Sequence, residues 1–177
     1  MQGRSYHDAP LDIPSDLEIA WLLKQGISET AMMSPTVIRA ANVTLLDGNT
    51  FDFDAKGIRA FLFKELDCDD LIAWKPKRDA LATWRGDAFA LGQESVFNPA
   101  TYFDCGALRV HRTPLEWLKA DREGIVIVKP QLTYAYLCHA RRLSFADPVY
   151  AQQVKRWLQP PKPTAELLIE VSAEMAA

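Results

Sequence analysis

The stretch ALRVHRTPLEWLKADREGIVIVKP, from Ala107 to Pro130, constrains the fold more than any other part of the chain. Leu108 and Val110 alternate with Arg109 and His111, the period of a strand with one face on a core. Thr113-Pro114 then opens a helix, with proline at the first helical position, where its missing N–H leaves no bond unmade. Ile125 to Val128 is a β-branched run that reads as a second, buried strand. Strand, helix and strand in so short a span make the crossover unit of a parallel sheet. Ligands commonly bind at the carboxyl ends of such strands. Here those ends hold His111, Arg112 and Lys129 rather than carboxylates.

The rest of the chain divides around this unit. Residues 1–14 read as an irregular arm, because Pro10 and Pro14 prevent an early helix. Ser15 is a predicted N-cap, with Asp16 and Glu18 in the first turn, where carboxylates favour the helix dipole. Leu17, Ala20, Trp21 and Lys24 lie along one side of that helix, Ile19, Leu22 and Leu23 widen its apolar stripe, and Gly26 stops it. A short helix follows from Ser28 to Met33. From Asn42 the period changes to two. Val43 to Leu46, the turn Asp47-Gly48-Asn49, and Phe51 with Phe53 predict a hairpin. Ile58 to Leu66 predicts a third strand. Leu71–Trp74 and Ala80–Trp84, flanking KPKRD, predict a second hairpin with a basic tip. Gln131 to Ala140 reads as helical. Asp147 caps a helix that starts at Pro148 and runs to about Leu158. Pro160, Pro161 and Pro163 then break the chain, and AELLIEVSAEM fits either a helix or an added strand. The pattern predicts an α+β or mixed α/β fold: antiparallel hairpins, a βαβ crossover and helices at both ends. Residues 15–159 form its single domain, and residues 160–177 a proline-rich linker and tail.

Composition narrows function further. With 23 acidic and 20 basic residues the net charge is −3, so overall charge does not drive nucleic-acid binding; a local basic patch is required. Cys68, Cys105 and Cys138 are few, odd in number and far apart. They lack zinc spacing and fit reduced thiols in a cytoplasmic protein. The polar N-terminus is not a secretory signal, and the β-branched run at Ile125–Val128 is far too short to span a bilayer.

The crossover unit resembles a degenerate Toprim-like segment, as in primases and topoisomerases. In that family the first strand ends in a catalytic Glu-Gly, and the second in an Asp-x-Asp pair that holds magnesium. Here His111-Arg112 follow Leu108-Arg109-Val110 where the Glu-Gly would stand. Lys129-Pro130-Gln131 follow the second strand where the acidic pair would stand. Magnesium needs anionic oxygen ligands, so the resemblance implies the shape without the family's phosphoryl chemistry. The hairpin LIAWKPKRDALATWRGDAFALG similarly looks like the segment preceding such units in phage and prophage proteins of bacteria.

Two basic clusters are candidate sites. Arg109, His111, Arg112 and Lys129, at the strand ends, form a candidate anion- or nucleic-acid-binding set. Their structural alternative is a series of surface cations paired with Asp121, Glu116 or Glu123. Lys75, Lys77 and Arg78 at the hairpin tip, flanked by Trp74 and Trp84, form a second candidate, since aromatics beside cations stack unpaired bases. Their structural alternative is that both tryptophans fill a core or pair across the strands, with a solvated turn beyond. The run Leu66-Asp67-Cys68-Asp69-Asp70 reads as a charged turn. Cys138 and His139 are adjacent in a helix and diverge, so they are no nucleophile–base pair. No GxSxG, P-loop or HExxH occurs. The expected function is a non-catalytic binding or accessory module, contacting nucleic acid or phosphate in a phage-type DNA-handling context, with no cofactor, no metal and no membrane partner. One alternative is a structural or protein-interaction protein, a homo-oligomer joined through its C-terminal region. A second is a metal-dependent nuclease or primase relic using Glu94, Asp104 and Asp121.

Overall fold

Both predicted hairpins form, and a closure that joins them turns five strands into a barrel. The computed structural model describes residues 9–160; the start of the expected arm and residues 161–177 of the expected tail lie outside the described residues. β1 (Arg39–Leu46) and β2 (Thr50–Phe53) pair antiparallel around Asp47-Gly48-Asn49, with Gly48 and Asn49 both at positive φ. β3 (Ile58–Glu65), β4 (Asp70–Lys75) and β5 (Ala80–Thr83) form a meander. β1 then reaches β3, and β2 meets β5 in parallel at Thr50 and Thr83, so the order closes as β1-β2-β5-β4-β3. The expected antiparallel hairpins are present, and their closure into a barrel is a feature that the sequence pattern does not describe. Its closing pairs join segments that carry no local signal for each other.

A barrel this small is filled by side chains. Ala41, Ala60, Ala73 and Ala82 leave room for Val43, Phe51, Leu62 and Leu71. Lys75 is buried, and its Nζ donates to the Val43 carbonyl at 3.2 Å. Burial, with the charge of Arg78 beside it, holds its pKa below the usual lysine value. The other face of β3 and β4 is buried as well. Phe61, Phe63, Ile72 and Trp74 pack on α1 (Asp16–Lys24), α2 (Glu29–Met33) and α4 (Pro114–Lys119). Two buried faces explain why β4 reads as a continuous apolar run rather than an alternating one.

The second sheet contains β6 (Ala90–Leu91), β7 (Leu108–His111), β8 (Ile125–Ile127) and β9 (Leu143–Ser144), in the order β6-β8-β7-β9. The expected crossover is present. β7 and β8 are parallel, with Val110 opposite Ile125 and His111 opposite Val126, and α4 connects them. Residues of β8 alternate between two cores. Val126 faces the barrel side, while Ile125 and Ile127 face Phe89, Tyr150 and Val154. α5 (Thr133–Leu137) and α6 (Pro148–Trp157) cover that far side. α3 (Glu94–Phe97) lies between β6 and β7 in the chain. The segment expected to be helical from Gln131 is a 3₁₀ turn at Pro130–Leu132 followed by α5.

The helix starts follow sequence chemistry. Ser15 with Glu18, and Thr113 with Glu116, form reciprocal capping boxes; Asp147 accepts from the Val149 and Tyr150 N–H groups. Gly124, at φ +84°, admits no side chain, because a Cβ there would stand 2.2 Å from the Arg109 carbonyl oxygen. Among the described residues, no helix is long and apolar enough to cross a membrane.

Candidate functional site

The four residues at the strand ends are engaged at three different places. The exposed side chain of Arg109 pairs with the Glu123 carboxylate at 2.9 Å. His111 Nε2 meets the Glu123 backbone carbonyl at 2.9 Å. Arg112 turns away to Asp147 at the start of α6, also at 2.9 Å, while its backbone N–H donates to Glu116. Lys129 is buried, and its Nζ donates to the Gly86 carbonyl. Glu123 thus gathers Arg109 and His111, whereas Arg112 and Lys129 go to two other places. The pairing with Glu123 matches the structural alternative for Arg109. Lys129 instead ties the end of β8 to the loop ahead of β6, with most of its surface covered.

The hairpin-tip candidate is rearranged rather than dispersed. Trp74 and Trp84 are not an exposed platform: they are 2% and 8% exposed, fixed in the two cores that flank β4. Trp74 Nε1 donates to Asp79 at 3.2 Å, and Trp84 meets Phe53 edge-on. Both flank the basic tip in sequence, but neither presents a ring to solvent there. Lys77 and Arg78 are exposed, on a 3₁₀ turn (Pro76–Arg78) that ends at Asp79 in the left-handed conformation. Among the described residues neither cation has an ion-pair or hydrogen-bond partner.

The aromatic surface beside them comes from elsewhere. A groove of about 600 Å³ runs between α1 and the barrel, with Leu17, Trp21, Ile58 and Phe61 as its apolar surface and Lys77 and Arg78 on its rim. Trp21 is half-buried and stacks on Phe61, with centroids 6.1 Å apart and planes 16° from parallel. Leu17 on α1 is 84% exposed and Ile58 at the start of β3 is 52% exposed, so both walls of the groove carry apolar surface that their own packing does not bury. Arg59, on the groove wall, is already spent: it pairs with Asp12 and with Glu18 at 3.1 Å, fastening α1 to β3. Reasoning from sequence missed Trp21 and Phe61 as site residues. The available signal was the width of the apolar stripe on the first helix.

The acidic candidates have other roles. Asp69 pairs with Lys64 and Arg85, and Asp70 is wholly buried and accepts four backbone N–H groups. Among the described residues, no three His, Cys, Asp or Glu side chains are grouped so as to hold a metal ion; Glu94, Asp104 and Asp121 form no such group. All three cysteines are free thiols. The chain matches no protein-family model, no curated protein and no solved structure.

Proposed function

We propose that this chain is a binding module whose groove between α1 and the barrel takes single-stranded nucleic acid. The observation that carries this reading is the juxtaposition of an apolar groove surface, formed by Leu17, Ile58 and the half-buried Trp21 over a buried Phe61, with two exposed cations, Lys77 and Arg78, that have no partner among the described residues. A ligand that fits has flat apolar faces and regularly spaced negative charge, and unpaired bases on a phosphate backbone supply both. Lys77 and Arg78 would take phosphates, and Trp21, backed by the buried Phe61, would take a base. An overall charge of −3 makes such binding local and weak.

Fluorescence titration with a labelled oligothymidylate at several salt concentrations tests the reading. Two phosphate contacts on a single strand give a slope of log affinity against log salt of about −1.4. The Lys77→Ala/Arg78→Ala variant is expected to abolish that slope. Trp21→Ala is expected to remove about 1–3 kcal/mol of binding through lost stacking. Arg109→Ala, whose side chain is paired to Glu123, should leave affinity unchanged. Absence of binding at 50 mM salt, or equal binding by the Lys77→Ala/Arg78→Ala variant, would overturn the assignment.

A further inference from the structure

The groove does not end the concave surface at its cationic rim. We propose that a strand held in the groove continues over the β4–β5 turn into the cleft between the barrel and the second sheet, where Trp157 takes a second base. The inference rests on the groove reading and deepens it: the partner becomes a strand of several nucleotides rather than a single nucleotide.

Three observations carry it. The first is continuity. Lys75, Pro76, Lys77 and Arg78 line the groove, and the next residues, Asp79 to Ala82, line a cleft of about 450 Å³. Neighbouring Cα atoms are about 3.8 Å apart, so the two hollows lie on the two sides of one turn. The exposed Lys77 and Arg78 stand at that junction, where a backbone passing from one hollow to the other would bring its phosphates.

The second observation is the cleft wall. Tyr150, Gln153 and Trp157 stand at i, i+3 and i+7 of α6, on one helix face, and all three line the cleft, as does Leu81 of β5. Trp157 is half-buried and is backed edge-on by the buried Tyr150, with centroids 6.1 Å apart and planes at 81°. The groove repeats this arrangement with other elements, its half-buried Trp21 backed by the buried Phe61. A tryptophan already fixed by packing stacks a base with little further ordering cost.

The third is unspent hydrogen-bonding capacity. Tyr150 is 7% exposed, and its hydroxyl, like the Gln153 amide and the Trp157 indole N–H, has no hydrogen-bond partner among the described residues. Burial pushes the phenol up to about 12, so it stays protonated and can donate at neutral pH. The charged residues of the cleft are engaged: Arg112 pairs with Asp147 at 2.9 Å, and Asp79 accepts from the Trp74 indole N–H at 3.2 Å. The Asp79 carboxylate disfavours phosphate inside the cleft and leaves bases, rather than backbone, to enter it.

The test uses the full chain and two ligands, thymidine dinucleotide and a labelled oligomer of about ten thymidines. Trp157→Ala is expected to weaken the oligomer about tenfold and leave the dinucleotide unchanged, whereas Trp21→Ala weakens both. Gln153 is exposed, so Gln153→Glu probes the same wall without disturbing the core, and its added charge should weaken the oligomer severalfold. Oligomers carrying 5-iodouracil are expected to photocrosslink to Trp21 and also to Trp157 or Tyr150. Oligomer binding that falls with Trp21→Ala but is unchanged in both α6 variants, with crosslinks at Trp21 alone, overturns the extension and leaves the groove reading standing. A dinucleotide weakened as much as the oligomer by Trp157→Ala also overturns the continuous path, because it puts the small ligand in the cleft itself. Binding of neither ligand by the wild-type chain overturns the groove reading and the extension with it.

Discussion

Replacing Asp70 with alanine is expected to lower the free energy of unfolding by about 4 kcal/mol, a large share of the ~5–15 kcal/mol available to a domain of this size. Asp70 opens β4 and is completely buried. Its Oδ1 accepts from the N–H groups of Leu71 at 2.7 Å and Arg85 at 2.8 Å; its Oδ2 accepts from Asp87 at 2.9 Å and Ala88 at 3.0 Å. One carboxylate therefore satisfies four donors, three of them in the loop that leads from the barrel to β6. Deleting it strands those donors away from water, and each buried unsatisfied group costs about 1–3 kcal/mol before the loop relaxes. Asp70→Asn keeps one acceptor oxygen but turns an amide N–H₂ toward two donors, so about half the loss is expected. Urea unfolding followed by tryptophan fluorescence measures both. A loss below about 1 kcal/mol for the alanine variant would show that the loop does not depend on this carboxylate. The exposed pairs of Arg85 with Asp69 and Asp87, at 3.7 and 3.5 Å, should matter far less.

The same residue shows where sequence reasoning reaches its limit. Leu66-Asp67-Cys68-Asp69-Asp70 reads as a charged turn, and a turn it is, with Asp69 at φ +50°. Only the folded chain separates Asp70, turned inward under the loop at 85–88, from Asp69, left on the surface. Local signals served well. The caps at Ser15, Thr113 and Asp147, the hairpin turn at Asp47–Asn49 and the β7–α4–β8 crossover all depend on neighbouring residues, and all are present. What escaped depends on distant pairings. Barrel closure needs β1 to find β3 and β2 to find β5. The candidate groove needs Trp21 on α1 to meet Phe61 on β3, 40 residues later. The pattern did contain the apolar runs of β3 and β4, but not that their second face packs against helices. For the same reason the sequence alone leaves Trp74 and Trp84 open between a surface platform and a core, and the core is where they lie. A tryptophan next to lysines in sequence points inward or outward according to strand parity and to what covers each face, and both are properties of the assembled barrel.

Unfolding stability is expected to fall as pH rises from about 4.5 to about 8, by roughly 3–5 kcal/mol, and Glu65→Gln should abolish most of that fall. Glu65 ends β3 and is only 3% exposed. Burial drives its pKa up to about 8, with Glu94 and Asp67 adding repulsion; the N–H groups of Gly92, at 2.9 Å, and Gln93 pull in the other direction without prevailing. Arg122 also lies in this interior. Its guanidinium is 5.5 Å from the ring centres of both Phe63 and Trp117, it donates to the Thr36 carbonyl, and its Nε and Nη2 have no hydrogen-bond partner among the described residues. The sign follows from proton counts. Between pH 4.5 and 8 the folded chain keeps the Glu65 proton, while the unfolded chain has lost it. Raising the pH therefore favours the unfolded state by about 1.4 kcal/mol per pH unit until the folded-state value is passed, after which the penalty is constant. The neighbouring Cys68 thiol, pushed up to about 11 by burial, and Arg122, brought down to about 10, titrate outside this window. Glutamine keeps the oxygen that accepts from Gly92 and carries no charge, so the variant should match the wild type near pH 5 and exceed it increasingly toward pH 9. Unfolding free energies for the two proteins across that range decide the matter. Parallel profiles would mean that Glu65 is already ionised in the folded chain, with Arg122 as its counter-ion.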